Sequence, residues 1–393
     1  MIVKKKTRGF ICTTAHPEGC AYNVNQQIDY VKAKGSIKSG KRVLVIGAST
    51  GYGLASRIVQ AFSGGASTIG VFYEKEASGR RTASAGWYNA VAFEKAAEAQ
   101  GLYSKSINGD AFSNELKARV IDTIKKDLGK IDMVIYSLAS PRRQMPDSDE
   151  VNFSVLKPIG QAYTNKTVDF HSGHISDITI EPAVKEEIDA TVKVMGGEDW
   201  ALWINALKEA NVLDEGIETL AYSYIGPDLT HAVYRQGTIG KAKDHLEQTA
   251  QEITKDLEHL SGKAFVSVNK ALVTQSSAAI PVVPLYISVL YKVMKEMGNH
   301  ENCIQQCYRL FDDSDLSIDE NDRVRLDDWE MKADVQSQVH KLWHQVDSHN
   351  INDLTDIEGY RQEFYHLFGF DLEGIDYDRD IEVSIKHDNI AHV

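Results

Sequence analysis

Three glycines and a tyrosine–lysine set hold the chemistry this sequence could do. Gly47-Ala48-Ser49-Thr50-Gly51-Tyr52-Gly53 has the spacing Gly-x3-Gly-x-Gly. It lies between a short β-branched run, residues 42–46, and a helical pattern through Leu54, Ile58, Val59 and Phe62. Glycines in that context permit a tight turn, and backbone N–H groups can then approach a pyrophosphate at the helix N-terminus. Tyr73 and Glu74 end the next strand, and Glu74 stands 21 residues past Gly53. About 20 is the distance at which an acidic residue meets the adenosine ribose. A carboxylate there accepts hydrogen bonds from ribose hydroxyls and repels a 2′-phosphate. The pattern therefore favours NADH over NADPH, although Lys75 follows directly.

A bound dinucleotide needs an acid to act on the substrate. The glycine spacing is that of short-chain dehydrogenases, in which a Tyr hydroxyl polarises or protonates a carbonyl. A nearby Lys holds the nicotinamide ribose and lowers the Tyr pKa. In the simple form the pair is Tyr-x3-Lys, which does not occur after the fourth strand. The candidates there are Tyr222, Tyr224, Tyr234, Lys241 and Lys243. Seven residues separate Tyr234 from Lys241, about 20° around a helix; nine separate it from Lys243, about 180°. A straight helix selects Lys241, unless Gly237 and Gly240 keep Tyr234 in a turn ahead of the helix.

The elements that must position these groups alternate. Strands are expected at 42–46, 68–74, 102–107, 131–138, 218–225 and 264–269. Helices are expected after the glycine turn, at 89–100, at 114–128 with Ser113 as N-cap, and at 240–260. This predicts an α/β fold: a Rossmann-type doubly wound parallel sheet with helices on both faces. Residues 41–140 form a first cofactor-binding half and 141–215 an excursion that covers substrate. Residues 216–310 form a catalytic half and 311–393 an acidic, helical C-terminal region, all in one large domain. The apolar run from Ala278 to Tyr291 is 14 residues long, short of the ~20 that span a bilayer. It reads as a buried helix or a pocket wall.

Charge excludes one class of partner. The chain of 393 residues carries a net −13, and residues 311–393 hold 22 acidic against 7 basic side chains. General nucleic-acid binding needs a basic face, which this chain lacks. The acidic region is expected to lie away from the site as a solvating surface. Four cysteines are too few for a disulfide framework, and no membrane segment is expected, so the chain reads as cytoplasmic. No metal is expected. Cys12, His16 and Cys20, with Cys303 and Cys307, lack paired knuckle spacing. His340-x3-His344 has Lys341 where a zinc protease needs Glu, and the acidic run from Asp313 has Ile318 and Val324 at the Gly and Glu positions of a calcium loop.

A set of peptides spread along the chain carries a resemblance. It comprises Gly9-Phe-Ile, Ala15-His-Pro-Glu-Gly-Cys20, Gly47 to Gly53, Gly86-Trp-Tyr-Asn89, Gly109-Asp-Ala-Phe112 and Tyr136-Ser-Leu-Ala-Ser-Pro141. Met195-Gly-Gly-Glu-Asp-Trp200, Tyr222-Ser-Tyr-Ile-Gly226, Leu272-Val-Thr274 and Val293-Met-Lys-Glu296 complete it. The chain resembles the NADH-dependent trans-2-enoyl-CoA reductases and V-type enoyl-acyl carrier protein reductases. Their Tyr-x8-Lys signature falls on Tyr234 and Lys243, against the straight-helix choice, which implies that Tyr234 lies outside the helix of Lys243. The resemblance implies transfer of a hydride from NADH to the β-carbon of an enoyl-CoA or enoyl-acyl carrier protein in fatty acid synthesis. Tyr234 then stabilises and protonates the enolate, and Tyr224 contacts the thioester carbonyl. Lys243, Asp110, Ala111, Leu138, Ala139, Leu272, Val273 and Thr274 would lie along the cofactor, with 278–294 walling the acyl pocket. The family implies a monomer. A short-chain dehydrogenase acting on a ketone or alcohol, and an NAD-binding regulator with a dead site, are the alternatives.

Overall fold

The computed structural model describes residues 1–9, 11–38, 40–312 and 316–393. Phe10 of the first family peptide and Asp313 of the rejected calcium loop lie outside the described residues. The strands of the main sheet are β1 (Arg42–Ile46), β2 (Ser67–Phe72), β3 (Ser104–Asn108), β4 (Ile131–Tyr136), β5 (Leu213–Ser223), β6 (Lys263–Val268), β7 (Val324–Arg325) and β8 (Ile390–His392). They lie side by side in the order β8-β3-β2-β1-β4-β5-β6-β7, and every neighbouring pair is parallel. The order reverses between β1 and β4, so a crevice opens there at the carboxyl ends of the strands.

The helices are α1 (Pro17–Lys34), α2 (Gly51–Phe62), α3 (Ala85–Ala99), α4 (Asn114–Asp127), α5 (Lys185–Met195), α6 (Glu198–Glu209), α7 (Thr238–Asp256), α8 (Val283–Glu296), α9 (Cys303–Asp312), α10 (Ala333–Gln345) and α11 (Ile357–His366). Two apolar layers result, one on each face of the sheet. Val43, Val45, Ile135 and Leu220 face α2, α3 and α8. Leu44, Ile46, Val134 and Ala221 face α4, α6 and α7. Strand residues alternate between these faces because their side chains do, and both faces are apolar because both are covered. Ser113 caps α4 as expected, its Oγ accepting from Leu116 N at 3.1 Å.

Residues 142–180 stand outside the main sheet as two antiparallel hairpins, Arg142–Gln144 with Val151–Phe153 and Tyr163–Asp169 with His174–Ile180. The stretch 185–209, which the sequence reading joined to this excursion, is α5 and α6. Trp200, Trp203 and Leu207 of α6 are buried against the sheet, so this part is one of the fold's layers.

The C-terminal region corrects a second expectation. It is no mere solvating surface: Trp343, Tyr360 and Phe364 are buried in the core, and Asp327 and Glu330 are fully buried carboxylates. β8 pairs with β3 and closes that sheet edge. Net charge counts residues without regard to which ones the fold covers: Trp343 of α10 and Tyr360 and Phe364 of α11 point inward, and even Glu363 of α11 accepts from buried Tyr291 Oη at 2.8 Å. Among the described residues no helix is long and apolar enough to cross a membrane.

One buried ion pair ties α2 to the sheet. Arg57 on α2 and Glu94 on α3 are both excluded from solvent and meet at 2.8 Å. The guanidinium also donates to Thr68 Oγ1, Ser106 Oγ and Lys105 O, and lies 4.1 Å from the Phe93 ring centroid. A Cβ on Gly70 of β2 would overlap the guanidinium, so the glycine makes its room. Removing one partner of such a pair strands the other charge. We expect Arg57→Met to lower unfolding free energy by about 3–5 kcal/mol in urea titrations. Arg57→Met with Glu94→Leu should recover most of that loss; equal losses would assign the effect to packing instead.

Candidate active site

The candidate residues gather at the carboxyl edge of the sheet. The glycine turn leaves β1 and enters α2. Gly47 has φ +89°, and a Cβ there would overlap Ser137 O beyond β4. A Cβ on Gly53 would overlap Gly47 O, so α2 packs this close to β1 because that residue is glycine. Gly51 has φ +54° with open space beside it. Among the described residues no side chain caps α2, and no acidic residue stands in its first turn. A cradle lined by glycine backbone, open at Gly51 and facing uncapped N–H groups, fits a pyrophosphate.

Glu74 is held at the rim of that cradle. It lies just past the end of β2, as Tyr73 does, so the strand is two residues shorter than expected. Its carboxylate accepts from Ser49 Oγ at 2.6 Å, and its backbone exchanges hydrogen bonds with the Asn108 side chain at 2.7 and 2.9 Å. A Cβ on Gly86 would overlap the carboxylate, and Asn89 Nδ2 donates to Ser49 O at 3.1 Å. Two residues of the Gly86-Trp-Tyr-Asn89 peptide thus support the cradle from behind, a role the sequence did not disclose. Burial raises the Glu74 pKa, opposed by the Ser49 hydrogen bond. Tyr73 is exposed at 78%, free to lie against a bound group.

The remaining cofactor candidates follow the same edge. Asp110 is exposed after β3, and Ala111 is buried, its carbonyl accepting from Lys117 and Trp203. Leu138 and Ala139 follow β4, with Leu138 Cδ2 near the space beside Gly47. Leu272 and Val273 are buried after β6, and Thr274 is half-buried. Ala48 is buried, and Tyr52 donates to Lys270 O at 3.0 Å.

The tyrosines separate into two environments. Tyr222 ends inside β5, its ring stacked on Tyr52 at 5.2 Å and its hydroxyl paired with Ser56. Tyr224 stands beyond the strand. Its ring meets that of Tyr234 edge-on, with centroids 5.0 Å apart. Tyr234 lies in the turn 232–236, outside α7. Its carbonyl accepts from Gly237 N and Gly240 N at 3.1 and 2.9 Å. A Cβ on Gly240 would overlap Arg235 O, so the turn folds back on the helix start through the glycines. Lys241 faces solvent and pairs with Asp244. Lys243 is buried, and its Nζ donates to Tyr222 O at 2.9 Å.

Burial governs the titration of both groups. It raises the Tyr234 hydroxyl to about 12, and among the described residues that hydroxyl has no hydrogen-bond partner. Burial lowers Lys243 to about 8, opposed by Glu247 and reinforced by Arg235. The tyrosine is therefore a proton-bearing donor at neutral pH. Glu330 was missed by sequence reasoning altogether: its Oε1 accepts from Tyr224 Oη at 3.2 Å. An acidic residue in an acidic stretch gives no signal that it is buried.

A doubly wound sheet with a glycine cradle at its switch point defines a dinucleotide-binding α/β protein. Comparison narrows this. Residues 81–315 match the family model for the trans-2-enoyl-CoA reductase catalytic region, and residues 2–79 that for its NAD(P)H binding domain. The chain is 59% identical over 390 residues to the trans-2-enoyl-CoA reductase [NADH] of Ruminiclostridium cellulolyticum, covering 98% of this chain and 99% of that one. It is 59% identical over 395 residues to the enoyl-[acyl-carrier-protein] reductase [NADH] of Flavobacterium johnsoniae, covering 99% and 100%. The crystal structure of Treponema denticola trans-2-enoyl-CoA reductase in complex with NAD superimposes with TM-score 0.92 at 52% identity, covering 97% of this chain and 100% of that one. The chain belongs to the trans-2-enoyl-CoA reductase family.

Residues 318–381 match a model described as an enoyl reductase FAD binding domain. The described residues do not fit a flavin. A Cβ on Gly359 would overlap the Asp356 carboxylate and one on Gly369 the backbone of Cys20; Gly374, at φ +84° with open space, stands among Asp371, Glu373, Asp376 and Asp378 and leads into no helix among the described residues. The segment holds 17 acidic and 6 basic residues, which repels a diphosphate.

The cradle generates a paired prediction. Gly53→Ala should weaken NADH binding by at least about tenfold in fluorescence titration, because backbone must move to admit the methyl group. Gly51→Ala, with open space, should show only the ~1–2 kcal/mol strain of its left-handed backbone in thermal unfolding.

Proposed function

We propose that this chain reduces the trans-2 double bond of enoyl thioesters to the saturated acyl thioester with NADH, in fatty acid synthesis. The observation that carries this reading is the edge-on pair Tyr224–Tyr234, with buried Lys243 bonded to Tyr222 O two residues before Tyr224, on the same sheet edge as the glycine cradle. A bound NADH would supply the hydride for the β-carbon, which leaves negative charge to develop on the thioester oxygen. Gly47 to Gly53 and the α2 N-terminus hold the pyrophosphate, and Glu74 takes the adenosine ribose and disfavours a 2′-phosphate. Asp110, Ala111, Leu138, Ala139, Leu272, Val273 and Thr274 line the cofactor.

Tyr234 donates its proton-bearing hydroxyl to the developing enolate oxygen and then supports its protonation. Lys243, anchored on Tyr222 O, holds the nicotinamide ribose. The half-buried approach to α8, residues 274–282, guides the acyl chain, while Val283–Met294 is packed into the core. The acyl carrier is CoA or acyl carrier protein, since relatives carry both names. We read the chain as a cytoplasmic monomer, in keeping with its free cysteines and with the covering of one sheet edge by β8. Sedimentation as a tetramer would overturn the monomer.

Crotonyl-CoA, dodecenoyl-CoA and the matching carrier-protein thioesters should be compared as substrates by NADH loss. Reduction of acetoacetyl-CoA without crotonyl-CoA would sink the reading. Tyr234→Phe should lower kcat by roughly 10²–10⁴-fold, with the NADH dissociation constant near its wild-type value. Lys243 gives a pH signature with a defined sign. Its pKa is lowered to about 8, so its charge is present below that pH and lost above it. kcat/KM for NADH should therefore fall as pH rises past 8. Lys243→Arg, which does not titrate, should lack that decline.

A further inference from the structure

Glu330 is a carboxylate at 0% exposure, and its donors converge from three separate parts of the chain. Its Oε1 accepts from Tyr286 Oη at 2.6 Å and from Tyr224 Oη at 3.2 Å, and its Oε2 accepts from Ala271 N at 2.7 Å. Tyr286 is on α8, and Ala271 lies in the loop after β6 that continues through Leu272 and Val273. Gln336 Nε2 fixes the Glu330 backbone carbonyl at 2.8 Å and reaches Tyr286 Oη at 3.3 Å. The Tyr224 hydroxyl lies over Gly226, where a Cβ would approach it to 2.7 Å. Buried Lys270 donates to Ala271 O at 3.1 Å and faces the same carboxylate.

The geometry poses a conflict over a single proton. An ionised carboxylate has no hydrogen to give. It therefore holds the Tyr224 proton, and the phenol presents lone pairs to the site. A phenol in that orientation cannot also donate to a thioester oxygen. A neutral Glu330 resolves the conflict. Its Oε2 remains an acceptor for Ala271 N, and Oε1–H donates to Tyr224 while accepting from Tyr286. Tyr224 is then free to donate into the site beside Tyr234.

We propose, on the reading of Tyr224 as a donor to the thioester oxygen, that Glu330 is a positioning residue whose protonated form turns the Tyr224 hydroxyl toward substrate. It touches neither substrate nor cofactor, and it acts by setting the direction of one hydrogen bond. The charged and titratable groups that face it are Tyr224, Tyr286, Lys270, Asp327 and, more remotely, Tyr52. Burial and Asp327 favour its neutral form; Lys270 and the Tyr286 and Ala271 hydrogen bonds favour the charged one, and the net direction is upward.

Glu330→Gln tests this with saturating NADH, which removes the Lys243 effect on cofactor binding. An amide donates an N–H to Tyr224 at every pH. kcat with crotonyl-CoA should fall at the alkaline end in wild type, and Glu330→Gln should lack that fall and exceed wild type there. Glu330→Leu should lose roughly 10²-fold in kcat, the effect of one missing oxyanion donor, with NADH binding retained. In a Tyr224→Phe background Glu330→Gln should no longer change the pH profile. A wild-type alkaline limb surviving in Glu330→Gln, or an effect indifferent to Tyr224→Phe, would overturn the role. A further readout needs no turnover. Infrared spectra at neutral pH should show a protonated carboxyl band that Glu330→Gln removes, and its absence from wild type would also overturn the proposal. Failure of the enzyme to reduce any enoyl thioester, with that band present, would instead reject the assigned reaction.

Discussion

The close passage of Gly53 against the Gly47 carbonyl is the contact on which the rest depends. Any side chain at Gly53 would force α2 away from β1. With the two glycines in place, the helix N-terminus sits directly at the carboxyl end of the central strand. That is where the strand order reverses, and where the loops after β2, β3, β4, β5 and β6 all emerge. One backbone approach therefore fixes the phosphate cradle, the position of Glu74 through Ser49, and the distance from these to the tyrosines. Gly47 serves the same contact from the other side, since β4's continuation at Ser137 crosses the space its side chain would need.

Buried polar groups then fix how the layers meet. Arg57 and Glu94 join α2, α3 and the β2–β3 region through one ion pair and its hydrogen bonds. Lys117 and Asp199 join α4 to α6 at 2.9 Å, with Tyr136 donating to the same carboxylate. Glu330 joins the C-terminal region to the end of β5 and to α8. Each such group is expensive to bury alone and well served where its partners converge. They give the fold specificity between elements that apolar contact alone would let slide.

The fold was legible in the sequence because it rests on local signals. β-branched runs, a capping serine and a glycine turn each act over a few residues, and five of the strands and their helices fell close to expectation. Strand ends were overestimated at Tyr73, Glu74, Leu138 and Tyr224. A parallel strand stops where its neighbours stop pairing, which no single strand encodes. The crossover helices α5 and α6 fell inside the stretch 141–215 read as an excursion, because the burial of Trp200 and Trp203 against the sheet is decided by distant segments. The placement of Tyr234 ahead of α7 followed from the family's Tyr-x8-Lys signature against the straight-helix geometry, and Gly237 and Gly240 supply the turn that allows it.

The sequence by itself determined the family and the glycine turn, since these reside in residue types at fixed spacings; it proposed Tyr234 with Lys243 only through the family resemblance. The tertiary structure decided what surrounds them. It brought Glu330, 106 residues beyond Tyr224 in the chain, within 3.2 Å of its hydroxyl. It turned an acidic tail into part of the core, and it divided Tyr222 from Tyr224 although two residues separate them. The physical reason is the same in each case. Spacing along a chain fixes local geometry, but burial and hydrogen-bond partners come from segments far apart in sequence, and these set the proton affinity on which a reductase site depends.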